Sequence, residues 1–320
     1  MSKRGKGRKD KSERVKPRTG VRADSFLPFG FKKMKEGETS YYLRGDLIDP
    51  ILKSGVLSLD KRGSLKSPTA PLGGGRGSAF RTEIAEVGGV VVRRYRRGGL
   101  FGKIIKDGYF VPHRALGELF SLTTARARGV SAPDALGASE KRRRLWFIPS
   151  PLYTAAIATT EISGSVNLPE YLRREDNSKT KEETLVRAGA AIKKMHDAGI
   201  YHRDLNMNNL LVVSGEGEVY IIDFDRAGVC DLLSRRRRER NLRRLLRSAR
   251  KLAGSGLPTT DDDFGHILTG YAGGNEAGLT RLVRKTISSR LLKIRGGISR
   301  ALNGLFKGKK GERYSSSVKF

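Results

Sequence analysis

Cysteine is almost missing from these 320 residues: Cys230 stands alone. One thiol cannot close an internal disulfide, which excludes a cystine-stapled fold and suits a reducing compartment. Long apolar runs are missing too. The most apolar window, 145–162, is interrupted by Pro149 and Pro151 and carries many small or polar residues, so no membrane span is expected. The first twenty residues are basic without an apolar stretch, and a secretory signal is not expected there. Acidic residues are scarce beside basic ones, 33 Asp and Glu against 64 Lys and Arg, for a net charge of +31. Either the basic faces are simply solvated, or a partner is anionic: nucleic acid, an anionic membrane or a phosphorylated substrate. Aromatics make up 7% and are not interleaved with the basic runs as base-stacking platforms would be. No obligate nucleic-acid partner is therefore expected, and no obligate protein partner is indicated.

What is present reads as a globular chain, 37% hydrophobic, long enough for one two-lobed domain or two small ones. Residues 1–25 are a Lys/Arg/Gly-rich segment expected to be a disordered basic arm. An extension of undefined structure follows at 26–70, with Tyr41, Tyr42, Ile48, Ile51 and Leu52 able to pack. A β-rich small lobe is expected over 71–160, with a hairpin around Gly88 and Gly89 and strands at Leu145–Ile148 and Ala155–Ile162. Between them a helix fits Leu116–Ala127, with Gly129 placed to end it. A mostly helical lobe is expected over 161–275, opening on a helix at Glu182–Asp197 that Gly199 stops. A second hairpin follows at Leu210–Val213 and Val219–Ile222, and a basic tail closes the chain over 276–320. Strands first and helices later is the order of an α+β, two-lobed domain.

The residues that carry chemistry lie around that second hairpin. HRDLNMNN, His202–Asn209, precedes it, and YIIDFD, Tyr220–Asp225, ends it. Asp204 and Asn209 are five apart and Asp223 follows fourteen later, the spacing of a kinase catalytic loop. Phosphoryl transfer asks for little covalent help. The protein must position a hydroxyl and neutralise phosphate charge, and Mg²⁺ takes hard oxygen ligands such as a carboxylate and an amide oxygen. Asp- and Asn-rich loops also favour plain turns. The preceding helix, the His two residues before the Asp and the apolar strand running into Asp-Phe favour catalysis instead. His202 reads as a hydrogen-bonding residue that orients the loop, not as a proton carrier.

Upstream, Gly73, Gly74, Gly75 and Gly77 lie just before the β-rich section, where a phosphate-covering loop belongs. The strand Val90–Tyr95 offers arginine where a phosphate-binding cation is needed. Arg93 shares a strand face with Val91 and points inward in this reading, and Glu118, mid-helix, is its expected partner.

With those residues in view, the chain resembles the Kdo (3-deoxy-D-manno-octulosonic acid) kinases of the lipopolysaccharide-kinase family, a group with a protein-kinase-like fold. The resemblance runs from about Gly73 to Tyr271. It is carried by GRG at Gly75–Gly77, RRYRRGGLFGKIIKDGY at Arg93–Tyr109, HRDLNMNNLL at His202–Leu211, IDFDR at Ile222–Arg226 and NLRRLLRSARK at Asn241–Lys251. The Arg93–Tyr109 run, Asp-Phe-Asp in place of Asp-Phe-Gly, and the Asn-Leu-x-Arg-Leu helix separate this family from ordinary protein kinases. The resemblance implies ATP and Mg²⁺ as cofactors, Asp204 as base, Asn209 and Asp223 as Mg²⁺ ligands and Arg93 at the nucleotide phosphates. It further implies a Kdo-lipid A type glycolipid as acceptor and peripheral residence on the cytoplasmic side of the bacterial inner membrane. A heptose-directed lipopolysaccharide-core kinase and a protein kinase are the alternatives, with a basic nucleic-acid-binding protein behind them. No Ala-Pro-Glu-like anchor follows Asp225, which counts against the protein kinase.

Two segments suit an anionic membrane surface. Over Arg235–Ala253 the apolar stripe Leu242, Leu245, Leu246, Ala249 and Leu252 runs between arginines. It either enters an interface or packs on the large lobe with its arginines facing water. A second basic stripe runs from Arg281 to Phe306 in the pattern of an interfacial helix.

Overall fold

The structure, a computed structural model, describes residues 27–59, 70–71, 79–95, 113–145, 148–215 and 217–275. The glycine cluster at 73–77, the basic run over 96–109, the arm at 1–25 and the tail at 276–320 lie outside the described residues.

The first lobe is a seven-stranded antiparallel sheet. Its elements are β1 (Phe31–Glu36), β2 (Thr39–Arg44), a short helix α1 (Ile48–Ser54), β3 (Ala70–Pro71), β4 (Ala79–Ile84), β5 (Gly88–Arg94), helix α2 (Arg114–Ala127), β6 (Ala135–Leu145) and β7 (Ile148–Thr160). The strand order is β1-β2-β6-β7-β5-β4-β3. Residues set apart in the sequence as an extension thus supply two strands of this sheet, with Tyr42 opposite Ala138 on β6. Alternation along β5 sorts its side chains between two layers. Val90 and Val92 pack with Leu43, Ile51, Leu57 and Leu136 under α1. Arg93 and Tyr95 take the other face, toward α2, as the parity with Val91 predicts.

The expected strand at Leu145–Ile148 is instead the tip of a long hairpin, in which Leu145 closes β6 opposite Ile148 of β7. The run Ser139–Arg144 hides β6 from a hydrophobicity pattern. Ser139 and Glu140 are nevertheless buried, because each has partners: Ser139 donates to the Leu57 carbonyl at 2.7 Å, and Glu140 accepts from the Ala115 N–H at 3.2 Å. Glu140 thereby occupies the N-terminus of α2, where a carboxylate is favoured by the unpaired amides.

The second lobe contains β8 (Ser165–Asn167), α3 (Leu168–Arg174), α4 (Ser178–Asp197), β9 (Ile200–Tyr201), a 3-10 turn at Met207–Asn209, β10 (Leu210–Val213), β11 (Val219–Ile221), β12 (Gly228–Val229), α5 (Arg235–Ala253) and α6 (Asp261–Ala272). Asn177 caps α4 through its side chain, and Gly199, at φ +75°, ends it as expected. Thr260 and Asp263 form a reciprocal capping box on α6. Helices α4 and α6 cross main chain to main chain: a Cβ on Gly189 would fall 1.9 Å from the Ile267 carbonyl oxygen, and one on Gly270 would fall 1.8 Å from that of Val186.

Leu242, Leu245, Leu246 and Ala249 of α5 are buried in the core with Leu185, Ile192 and Phe264. Burial of each such leucine stabilises by about 2 kcal/mol. The stripe therefore belongs to the lobe and not to a lipid interface, and α5 turns Arg236, Arg240, Arg243, Arg247 and Lys251 outward. Among the described residues no helix is long and apolar enough to cross a membrane.

Candidate active site

The loop from His202 to Asn206 leaves β9, which pairs with β12, and enters the 3-10 turn before β10. His202 is fully buried and engaged at both ring nitrogens. Its Nε2 donates to the Ile222 carbonyl at 3.0 Å, and Nδ1 accepts from the Asp204 N–H at 3.2 Å. Burial pushes its pKa below the ordinary histidine value, which favours the neutral ring that this pairing requires. It is an orienting residue, as its place in the motif suggested, and it ties the loop to the strand end that carries Asp223. Asn209 donates from Nδ2 to the Asp204 carbonyl at 2.9 Å, so its amide oxygen is the end that can face a cation. The Ile222 N–H donates to the Asn209 carbonyl at 3.0 Å, which sets Asn209 beside the Asp-Phe-Asp turn.

Asp223 sits in the left-handed region at φ +65°, uncommon for a residue with a side chain. Its Oδ1 is buried and lies 3.1 Å from Arg93 Nη1, yet makes no hydrogen bond. Arg93 also pairs with Glu118 of α2, the expected partner, and Glu118 in turn accepts from the Tyr95 hydroxyl. Burial works against the charge on Arg93, but Glu118, Tyr95 and the two aspartates together hold its pKa above the usual arginine range. The same burial pushes the Glu118 carboxyl up, with Arg93 opposing.

Sequence reasoning missed three further residues here. Asp225 accepts from Arg114 at both carboxylate oxygens, at 2.8 Å from Nε, which docks the Asp-Phe-Asp turn on the first turn of α2. Despite its burial, that pairing holds the Asp225 carboxyl below its ordinary range. Tyr95 lies between two guanidinium groups, 4.9 Å from Arg93 and 5.1 Å from Arg114 by ring centroid. The one signal for this set was an aspartate where ordinary protein kinases carry glycine.

On the other side, α5 grips the loop with a polar stripe at i, i+3 and i+7. Asn241 Nδ2 donates to the His202 carbonyl at 2.7 Å, Arg244 Nη1 meets Asp204 Oδ1 at 3.1 Å, and Ser248 Oγ accepts from the Met207 N–H at 3.2 Å. Behind Asn241 the bonds continue inward. His196 Nε2 lies 3.1 Å from Asn241 Oδ1, and His196 Nδ1 lies 2.8 Å from the Tyr271 hydroxyl of α6. Burial lowers the pKa of His196 to about 4, so the ring is neutral. The site thus brings together Asp204, Asn209, Asp223, Arg93 and Glu118, drawn from both lobes.

Residues 73–271 match the model of the lipopolysaccharide kinase (Kdo/WaaP) family. The 3-deoxy-D-manno-octulosonic acid kinase of Vibrio vulnificus (strain CMCP6) is 32% identical over 62% of this chain and 80% of its own. The protein of that name from Stenotrophomonas maltophilia (strain R551-3) is 38% identical over 59% of this chain and 72% of its own. A solved structure of WaaP in complex with acyl carrier protein covers 68% of this chain and 88% of its own, at 22% identity and a TM-score of 0.44. The family match, over more than half of the chain, places it in the lipopolysaccharide kinase (Kdo/WaaP) family, as a kinase with a two-lobed α+β, protein-kinase-like fold.

Proposed function

We propose that the protein transfers the γ-phosphoryl group of ATP to a hydroxyl of a Kdo residue on a lipid A precursor, at the cytoplasmic face of the inner membrane. The observation that carries this reading is the division of labour between two aspartates on one hydrogen-bonded frame. Asp204 is 67% exposed and open to an acceptor. Asp223 keeps a buried carboxylate oxygen without a hydrogen bond, which suits a cation better than a solvent-facing role. Asp223 and the amide oxygen of Asn209 fit Mg²⁺, a hard cation that takes few protein ligands and completes its shell with phosphate and water. Bound there, the ion would neutralise charge on the nucleotide phosphates.

Arg93, held by Glu118, faces the nucleotide phosphates, and the seven-stranded first lobe, β1 and β2 included, acts as the nucleotide lobe over the catalytic lobe at 161–275. The acceptor hydroxyl oxygen attacks the γ-phosphorus while its proton passes to Asp204. The bond to the β,γ-bridging oxygen breaks, and ADP leaves. The carbohydrate target is supported by the names of the curated relatives. The outward row of arginines on α5 supports residence at an anionic surface.

Mass spectrometry tests the reading. A Kdo-bearing lipid A precursor incubated with protein, Mg²⁺ and ATP gains one phosphate, located on Kdo by fragmentation, and Asp204→Asn loses that gain by about 10²–10⁴-fold in rate. Phosphate found on heptose, or on no glycolipid, would move the activity elsewhere.

A further inference from the structure

The three side chains with which α5 holds the catalytic loop are not alike. Asn241 and Ser248 bond to main-chain atoms, contacts that fix a loop whatever the substrate. Arg244 reaches the carboxylate of Asp204 itself, its Nε is buried with no hydrogen-bond partner, and its side chain is 38% exposed. Asn241 and Ser248 already fix the loop through its main chain, so a guanidinium placed on the Asp204 side chain calls for a further reason.

The acceptor supplies one. On the function proposed above, on which this inference rests, the acceptor is a sugar acid, with a carboxylate on the ring that offers the hydroxyl. An exposed Asp204 would repel that carboxylate at close range. Between Asp204 and Asn209 the chain runs Leu205, Asn206, Met207 and Asn208, none of them cationic, whereas Arg244 sets its guanidinium on the Asp204 carboxylate itself. Arg93 is engaged with Glu118 and Asp223 at the end of the site assigned to the nucleotide. Helix α5, by contrast, packs on β9, the Met207–Asn209 turn and α6.

We infer that Arg244 determines acceptor specificity, holding Nη1 on Asp204 while the exposed edge of its guanidinium binds the carboxylate of the incoming sugar acid. The guanidinium suits this role because its donors form a planar fork that can serve two carboxylates at once. The hydroxyl is then delivered to Asp204 at a distance set by the ring between it and the bound carboxylate.

The test uses the full-length protein and two acceptors, a Kdo-bearing lipid A precursor and the same compound with the Kdo carboxylate converted to its methyl ester. Arg244→Gln raises the KM for the acid acceptor by about 10- to 100-fold, the loss of a charge-assisted hydrogen-bond pair. The KM for ATP moves less than about threefold, well under the tenfold that 1.4 kcal/mol represents. The loss on the ester is smaller than the loss on the acid by about tenfold or more. Arg244→Lys, which keeps the charge and forfeits the fork, falls between parent and Gln variant on the acid. Equal losses on acid and ester, or a rise in the ATP KM that matches the acceptor loss, would overturn the inference, because Arg244 would then serve only Asp204 or the transferred phosphoryl group. Failure of the parent to phosphorylate either acceptor would instead overturn the acceptor assignment itself, and this inference with it.

Discussion

Replacing Asn241 with leucine removes a side chain of similar size that is fully buried and bonded on both sides. It donates to the His202 carbonyl at 2.7 Å and lies 3.1 Å from His196 Nε2. Leucine leaves both groups buried without a partner. At about 1–3 kcal/mol for each unsatisfied group, the gross cost is about 2–6 kcal/mol. The apolar side chain returns about 2 kcal/mol by its own burial, for a net loss of up to about 4 kcal/mol. Domains of this size hold about 5–15 kcal/mol, so the variant folds at 25 °C with a lower urea midpoint. Catalysis suffers separately. With its carbonyl released, His202 no longer fixes the height of Asp204, and a displacement of about 1 Å lowers kcat about 10²-fold. The KM for ATP changes little, because Arg93, Glu118 and Asp223 keep their own contacts. The assay pairs urea unfolding with steady-state kinetics below the unfolding transition. A folded variant with kcat within about twofold of the parent would refute the idea that α5 positions the loop, since a factor that small is under 0.5 kcal/mol.

Other perturbations probe separate parts of the molecule. Asp223→Ala weakens nucleotide binding in the presence of Mg²⁺ but not in its absence, and calorimetry under both conditions checks it; an unchanged Mg²⁺ dependence would remove Asp223 from the metal site. Buried His196, with its pKa depressed to about 4, is neutral in the fold and charged in the unfolded chain between pH 4 and the usual 6.5. The unfolded state therefore binds the extra proton in that window, and stability falls as pH drops through it, by about 3 kcal/mol in all, levelling off below pH 4. Urea midpoints of parent and His196→Gln at pH 7 and 4.5 isolate this contribution from that of His202, which carries the same sign. Gly189→Ala, whose new Cβ meets the Ile267 carbonyl oxygen, lowers the melting temperature although alanine is the better helix former. Gly265→Ala on the same helix pair, where nothing lies within 4 Å, raises it.

The hairpin of the candidate site was legible because everything that defines it is local. His202, Asp204, Asn209 and Asp223 lie within one short stretch, and the residue types leave few other uses for the spacing. Arg93 and Glu118 were legible through strand parity and helix position. Their neighbours were not. Tyr95, Arg114 and Asp225 converge from a strand, a helix start and a turn 111 residues beyond Arg114, and no periodicity connects them. β6 stayed hidden because its buried positions include Ser139 and Glu140, polar residues that only a finished structure can satisfy. Helix α5 shows the opposite difficulty. Its amphipathic pattern was plain, but a buried stripe and a membrane stripe look alike in one dimension. Asn241, Arg244 and Ser248 were concealed among arginines that do face water.

The main-chain crossing of α4 and α6 makes the second lobe stiff in a particular way. Side chains at a helix contact can repack, but carbonyls seated where a Cβ would stand have nowhere to retreat, so the two helices move as one piece. Tyr271 follows directly after Gly270, and His196 lies two turns along α4 from Gly189. The register of the Tyr271–His196 bond is therefore cut by the same crossing, and Asn241 passes it to the loop. Fraying of α6 from its C-terminal end would thus reach His202, and with a fourth hydrogen bond Asp204, before it exposed much of the core. In such a molecule heat should silence the enzyme some degrees before it melts the fold.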